Sequence, residues 1–542
     1  MTALMTFDYI ILGAGTAGCV LANRLSADPA VSVLLVEAGK RERGLWVRMP
    51  AGVSRLIHPG QNNWGYHTEP EPGLNGRRIY APRGRGLGGS SLINGMGYFR
   101  GQPQDYDSWA AQGAPSWAWR HLLPLYRELE QRPGGDPAWR GTQGELAVTD
   151  ARYQHPSSYD FVAAAEQAGY NRTSDFNGAQ AEGAGMIQFS IHDGQRHSSA
   201  EAFLYPVAQR PNLTIMTDTL VDRVVVEQGR AVAVELLAGP HRERQRRACR
   251  GEIIVSAGAF GSPAILQRSG IGPGDWLQDS GIPVVRDLPG VGRNLQDHLY
   301  IHYTYAATPE TSMNAELRGI KALQHGLHYL LTRHGPLTMG ASQACAFVRS
   351  SPQRDRADLQ ITYRPMSWRF EPDGSFAIGK TPEITVSCCN LRPTSRGEVR
   401  VAGADPGQAP RILANYFTTD HDQAVGVASM AIVRKIFAAA PMAARITGEI
   451  LPGPAIQTEA DILQYIRDTA QSMHHWAGSC AMGSGDQAVV DDHLRVHGVG
   501  GLRVADASVM PFIISANTNA PCFVIGARLA QLLQRPGAAA AA

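Results

Sequence analysis

Gly13, Gly15 and Gly18 space a turn as G-x-G-x-x-G, and the residues on either side fix what that turn joins. Tyr9–Leu12 is a short apolar, β-branched run, as in a parallel strand buried on both faces. Leu21, Ala22 and Leu25 carry the chain into a helix, and Val31–Val36 reads as a second strand closed by Glu37. In such a unit one glycine makes the tight turn, one admits a pyrophosphate against the backbone, and one packs helix on strand. The helix N-terminus offers that anion unpaired N–H groups and a positive dipole end. A carboxylate about 20 residues further on can accept hydrogen bonds from both hydroxyls of an adenosine ribose. The pattern specifies a dinucleotide site and accommodates NAD and FAD alike.

A chain of 542 residues needs more than one core, so two or more domains are expected. A formal net charge of +2 gives no reason to expect nucleic acid as a partner. The longest apolar candidate, around Val425–Ala440, is broken by Arg434 and Lys435, so no transmembrane segment is expected. The seven cysteines form no C-x-x-C pair and no H-E-x-x-H occurs, which argues against a metal site or a redox dithiol. With no signal segment ahead of the first strand, a cytoplasmic protein with reduced thiols is expected. Cys388 and Cys389, adjacent in a strand-like run, should point to opposite faces.

A second glycine-rich stretch, Arg83-Gly84-Arg85-Gly86-Leu87-Gly88-Gly89 continuing to Asn94-Gly95-Met96, lies in a long irregular region whose apolar content argues against disorder. Glycine at that density lets backbone lie flat against a planar ligand. Ile253–Ser256 then reads as a buried strand, followed by a small-residue turn and a helix with Ser262 as N-cap, Pro263 at its first position and Gly270 as its stop. These segments, with Gly501–Ser508 and Ala516–Pro521 near the C-terminus, resemble the glucose–methanol–choline (GMC) oxidoreductases, and the choline and alcohol dehydrogenase branch in particular.

The resemblance implies an α/β, Rossmann-like FAD domain built from residues 1–160, 195–310 and 475–542. A substrate domain of antiparallel sheet and helices would use 161–194 and 311–474, where Glu383–Leu391 and Gly397–Val401 read as strands and Val425–Phe437 as a helix. It puts Gly13, Gly15, Gly18 and Glu37 at the ADP half of FAD, with the backbone of Val221 at the adenine. Arg83, Gly89, Asn94, Gly95 and Met96 would border the flavin, Asp506 and Ala507 would meet the ribityl–pyrophosphate region, and Thr518 would lie beyond them.

In Ser472-Met473-His474-His475-Trp476-Ala477-Gly478-Ser479-Cys480-Ala481-Met482-Gly483, anchoring the family's pattern on Gly478, Met482 and Gly483 makes His475 the active-site histidine. Trp476 stands where the family usually has proline, and His474 is expected to point elsewhere from an extended segment. Asn519 occupies the partner position, at the start of a helix through Phe523 and Leu529. The implied reaction is oxidation of a primary alcohol to the aldehyde, the proton passing to His475 and hydride to flavin N5. An unperturbed histidine pKa of about 6.5 would make the rate rise with pH through neutrality. A quinone, a dye-like carrier or oxygen would take the electrons onward. Trp368, Phe370, Trp476 and Phe512 are candidates for an apolar alcohol pocket. Two other activities compete: a flavin-containing hydroxynitrile lyase on the same scaffold, and an NAD-dependent dehydrogenase, against which the stretch at 83–97 speaks.

Overall fold

The computed structural model describes residues 5–370 and 376–534. At its centre Thr6–Leu12 runs parallel to Val33–Val36 on one side and to the end of Glu243–Val255 on the other. Leu213–Met216 extends this array beyond Val33–Val36, and Leu502–Val504 joins it through Ile253–Val255. Ile10–Leu12, Val33–Val36 and Ile253–Val255 are fully buried, as strands covered on both faces must be. An antiparallel meander, Thr219–Glu227 and Arg230–Ala238 leading into Glu243–Val255, completes the sheet. The carboxyl ends of the parallel strands lie side by side, where open α/β sheets form a ligand crevice. Helix Thr16–Leu25 leaves that edge and packs on helix Asn519–Gln534. Gly526 permits the close approach, since a Cβ there would lie 2.7 Å from the Ala17 carbonyl oxygen.

The second sheet is antiparallel, in the order Ile446–Leu451, Leu299–Ala307, Glu383–Asn390, Leu359–Arg364, Ala344–Val348 and Gly183–Met186. Helices Pro156–Gln167 and Asp420–Ala438 pack against one face. Cys388 belongs to the core beneath those helices, while Cys389 turns to the other face, where its Sγ meets Gln360 and Met473. Strand Leu299–Ala307 lies inside this sheet and ahead of the expected boundary at residue 310, and helix Pro156–Gln167 spans the one expected at 160.

The helix expected from Ser262 starts earlier, at Gly258, and encloses Pro263. Its start is set from far along the chain. The Asp506 carboxylate accepts the Gly258 N–H at 2.8 Å and the Ser262 hydroxyl at 2.5 Å, which no local pattern discloses. Pro263 cannot donate to the Ala259 carbonyl one turn back. The Ser479 hydroxyl donates to that oxygen instead, at 2.6 Å. The tail Ala538–Ala542 and the side chain of Phe370 lie outside the described residues.

Candidate active site

A cavity of about 490 Å³ runs between the two sheets, from the glycine turn to the uncovered face of the antiparallel sheet. Gly13, with φ +111°, sits so close to the neighbouring strand that a Cβ would lie 2.4 Å from the Ser256 carbonyl oxygen. Gly15 and Gly89 line the cavity back to back; a Cβ on Gly89 would lie 2.7 Å from the Gly15 Cα. Gly18 is not on the wall. It packs the helix on the turn, where a Cβ would meet the Gly13 carbonyl oxygen at 2.0 Å. The buried Glu37 carboxylate accepts the N–H groups of Ala14 (3.0 Å), Gly39 (2.8 Å) and Gly86 (3.0 Å), and so ties the first glycine turn to the second glycine-rich loop. Burial raises its pKa, against the pull of those three N–H groups. Of a carboxylate's roughly four acceptor positions, about one remains for a ligand.

Val221 lines the same end, its carbonyl held by Arg268 Nη2 at 3.0 Å. Asp506 and Ala507 follow along the wall, and Thr518 and Asn519 lie at the start of the last helix. On the opposite wall, Asn94 Oδ1 accepts from the Met96 N–H (3.2 Å) and from Arg196 Nη1 (2.8 Å), fixing Met96 at φ +63°. Gly95 leaves room for Ala341, whose Cβ would be 2.8 Å from one added there. Arg83 is half-buried on the wall and donates through Nη1 to the His474 carbonyl at 2.9 Å.

The segment around His475 is held as a ladder. The N–H groups of Gly478, Cys480 and Met482 donate to the carbonyls of Ala507, Ser508 and Val509 at 3.1, 2.8 and 2.9 Å. Gly478 has φ +90°, and a Cβ there would press within 2.5 Å of the Asn294 carbonyl oxygen. His475 lines the cavity, and its Nδ1 lies 3.0 Å from Nδ1 of His298, whose Nε2 lies 3.2 Å from the Leu391 carbonyl oxygen. A carbonyl only accepts, so His298 carries its proton on Nε2 and accepts on Nδ1. His475 therefore carries its proton on Nδ1, which leaves the Nε2 lone pair free to act as a base. Burial, helped by His298, His474 and Arg83, holds the His475 pKa well below its ordinary value, and burial lowers His298 to about 4. The Asp297 carboxylate accepts the His475 N–H (2.6 Å), the Ser472 hydroxyl (2.5 Å) and the Tyr416 hydroxyl (2.5 Å).

Asp297 and His298 were not among the expected site residues. The available signal was an acid–imidazole pair directly ahead of strand Leu299–Ala307, two residues after the short strand Arg293–Leu295. His474 departs from its expected place. At φ +66° it is not extended, and its ring lines the cavity beside His475 with a buried Nδ1 that has no hydrogen-bond partner. Asn519 lines the cavity too, but its Oδ1 accepts from the Thr16 hydroxyl (2.8 Å), joining the starts of two helices. Trp476 fills the wall against Phe260, ring centroids 4.9 Å apart, and Trp368 lines the far end. Phe512 packs against the core of the first sheet and is not a wall residue.

The profile described as GMC oxidoreductase matches residues 7–300 with its N-terminal part and 393–526 with its C-terminal part. An alcohol dehydrogenase [acceptor] from Pseudomonas putida is 40% identical over 98% of this chain and 96% of its own length. An oxygen-dependent choline dehydrogenase from Pseudomonas entomophila is 40% identical over 97% and 94%. Among solved structures, pyridoxine 4-oxidase from Mesorbium loti superposes with a TM-score of 0.87 at 30% identity, covering 97% of this chain and 98% of that one. A formate oxidase from Aspergillus oryzae, studied for its FAD modification, gives 0.91 at 25% identity, covering 98% and 99%. With both parts of the profile matched, and relatives aligned along almost the whole sequence, the chain belongs to the GMC oxidoreductase family.

Proposed function

We propose that this protein oxidises a primary alcohol to the aldehyde with FAD as its resident cofactor, and that His475 Nε2 takes the hydroxyl proton. The observation that carries the assignment is the one-way chain from His475 through His298 to the Leu391 carbonyl, which presents a base of fixed tautomer to the cavity. The donor set fits FAD: first-turn N–H groups of helix Thr16–Leu25 for the pyrophosphate, the remaining Glu37 acceptor for the ribose, and glycine backbone where a Cβ would block a planar group. Bound FAD supplies the two-electron acceptor for the hydrogen leaving the alcohol carbon. His475 holds the hydroxyl proton as the carbonyl forms, Trp476 helps to keep water from the wall, and Asn519 orients the oxygen. We assign the FAD domain to the parallel sheet with its meander and the last helix, and the substrate domain to the antiparallel sheet including Leu299–Ala307. The electron acceptor is a quinone, a dye-like carrier or oxygen. Anaerobic mixing with a panel of alcohols should bleach the flavin. A protein that cleaves cyanohydrins and leaves the flavin oxidised would be a lyase instead.

The pH dependence differs from that of an ordinary histidine. Because the folded-state pKa is depressed, the base form already dominates above it. Flavin reduction should therefore be flat through neutral and mildly alkaline pH and fall only in acid. Stopped-flow reduction across that range checks this, and a midpoint near 6.5–7.5 would show that His475 titrates as if exposed.

The far end of the cavity also selects against cations. Arg364 is buried there, its guanidinium over the rings of Tyr300 (5.5 Å) and Trp368 (4.5 Å), with Nη1 on the Ser387 hydroxyl and Nε on the Ala341 carbonyl. Among the described residues no carboxylate pairs with it, and the wall's carboxylates, Glu37 and Asp506, are engaged at the other end. A quaternary ammonium needs an aromatic cage without a competing cation. Choline should show a kcat/KM at least about tenfold below that of an uncharged primary alcohol of similar length, since one uncompensated charge contact exceeds 1.4 kcal/mol at low dielectric. Steady-state rates with a dye acceptor give the comparison.

A further inference from the structure

Helix Gly319–Thr332 is amphipathic the wrong way round for a protein core. Of its residues only Tyr329 is buried, with its hydroxyl on the Gly194 carbonyl at 3.2 Å. Ile320, Leu323, Leu327, Leu330 and Leu331 form one stripe on the opposite side and are 50–76% exposed. Pro336–Thr338, after the helix, packs against Pro50–Gly52, next to the short helix Leu45–Arg48. There Leu45 and Trp46 are 42% exposed, and Arg55 lies over the Trp46 ring at 4.8 Å. Exposed apolar side chains gathered on one helix in this way mark an interaction surface, and Leu45 and Trp46 add to it across Pro336–Thr338 and Pro50–Gly52.

Its rim is basic. Arg318 precedes the helix, Lys321 lies in its first turn, Arg333 follows it with its guanidinium over the Tyr329 ring, and Arg55 lies over Trp46. Glu316 pairs with Lys321 and His325, and Asp193 with Arg152, so those charges cancel and Arg318, Arg333 and Arg55 leave the rim net positive. Two copies meeting through this face would bring like charges together, whereas an anionic lipid surface complements them. A helix of 14 residues spans about 21 Å and is too short to cross a bilayer core of about 30 Å. Lying in the interface, with leucines and a tryptophan among the acyl chains and basic groups at the headgroups, it has the right length and polarity. Val53, Ile57, Ala341 and Ser342, which follow the two parts of this face in sequence, line the cavity.

We propose that helix Gly319–Thr332, with Leu45 and Trp46, docks the protein on an anionic membrane surface and holds the cavity beside the lipid. The proposal does not depend on the chemistry assigned above. The purified holoenzyme is mixed at low salt with sedimentable vesicles, either equal parts phosphatidylglycerol and phosphatidylcholine or phosphatidylcholine alone. Wild type should pellet with the first and far less with the second. A Leu323→Ser, Leu327→Ser, Leu331→Ser triple variant should lose binding by at least about tenfold. Arg318→Ala and Lys321→Ala should each lower it roughly fivefold. Dye-linked oxidation of a water-soluble alcohol and the thermal midpoint should not change, because the substituted side chains are exposed. A wild type that stays in the supernatant, or a triple variant that pellets equally well, would overturn the proposal. So would a wild-type dimer in sedimentation velocity that the triple variant dissolves, since the face would then be covered by a second copy.

Discussion

His475→Ala is expected to leave the protein yellow and folded while slowing flavin reduction by roughly 10²–10⁴-fold, the usual worth of a placed proton acceptor. The proposed base is an imidazole whose free nitrogen is fixed by a defined chain of hydrogen bonds, and the neighbouring His474 ring is not held in that way. His474→Ala should cost less. Its ring also lines the cavity, but its buried Nδ1 has no hydrogen-bond partner to orient the ring or select its tautomer. His298→Leu should fall between the two, because His475 survives but loses the acceptor that selects its tautomer. Asn519→Ala should lose less than His475→Ala, since the amide polarises an oxygen and moves no proton. Stopped-flow reduction by one good alcohol ranks all four. Unchanged rates in His475→Ala, or a larger loss at His474, would move the base to the neighbouring ring.

The β–α–β opening could be read from sequence because its contacts are local: strand, turn, helix and acid follow one another within Thr6–Glu37. The expectation for His475 rests on Gly478 and Met482, whose spacing reflects the ladder to Ala507–Val509. What escaped was set by distant partners. His298 meets His475 across 177 positions, and the helix at Gly258 starts early because Asp506 reaches it across 248. His474 was misplaced because a strand-like composition does not reveal one residue at φ +66°. The apolar stripe of Gly319–Thr332 illustrates a further limit, since a 3.6-residue period reads the same whether its leucines face a core or open surface.

Glu37→Gln should yield protein with little bound FAD and raise the dissociation constant for added FAD by about 10²-fold. A carboxylate at the end of the second strand has an obvious partner in a ribose, and a variant that lost only that contact would behave normally without cofactor. The geometry predicts more. Glu37 already accepts three backbone N–H groups, and through Gly86 it holds the second glycine-rich loop against the first turn. Glutamine retains one acceptor oxygen, enough for Gly39 and Gly86, but turns an NH₂ donor toward the Ala14 N–H. Losing one charge-assisted bond and burying two opposed donors costs about 1.5–3 kcal/mol. That loss should appear in the stripped protein as a lower thermal midpoint, and again in the holoprotein, where weaker FAD binding contributes less stabilisation. Thermal melts of both forms, with titration of FAD into the stripped protein, separate the two effects. An unaltered melt without FAD would reduce Glu37 to a ribose ligand, and an FAD affinity within twofold of wild type would remove it from the cofactor site altogether.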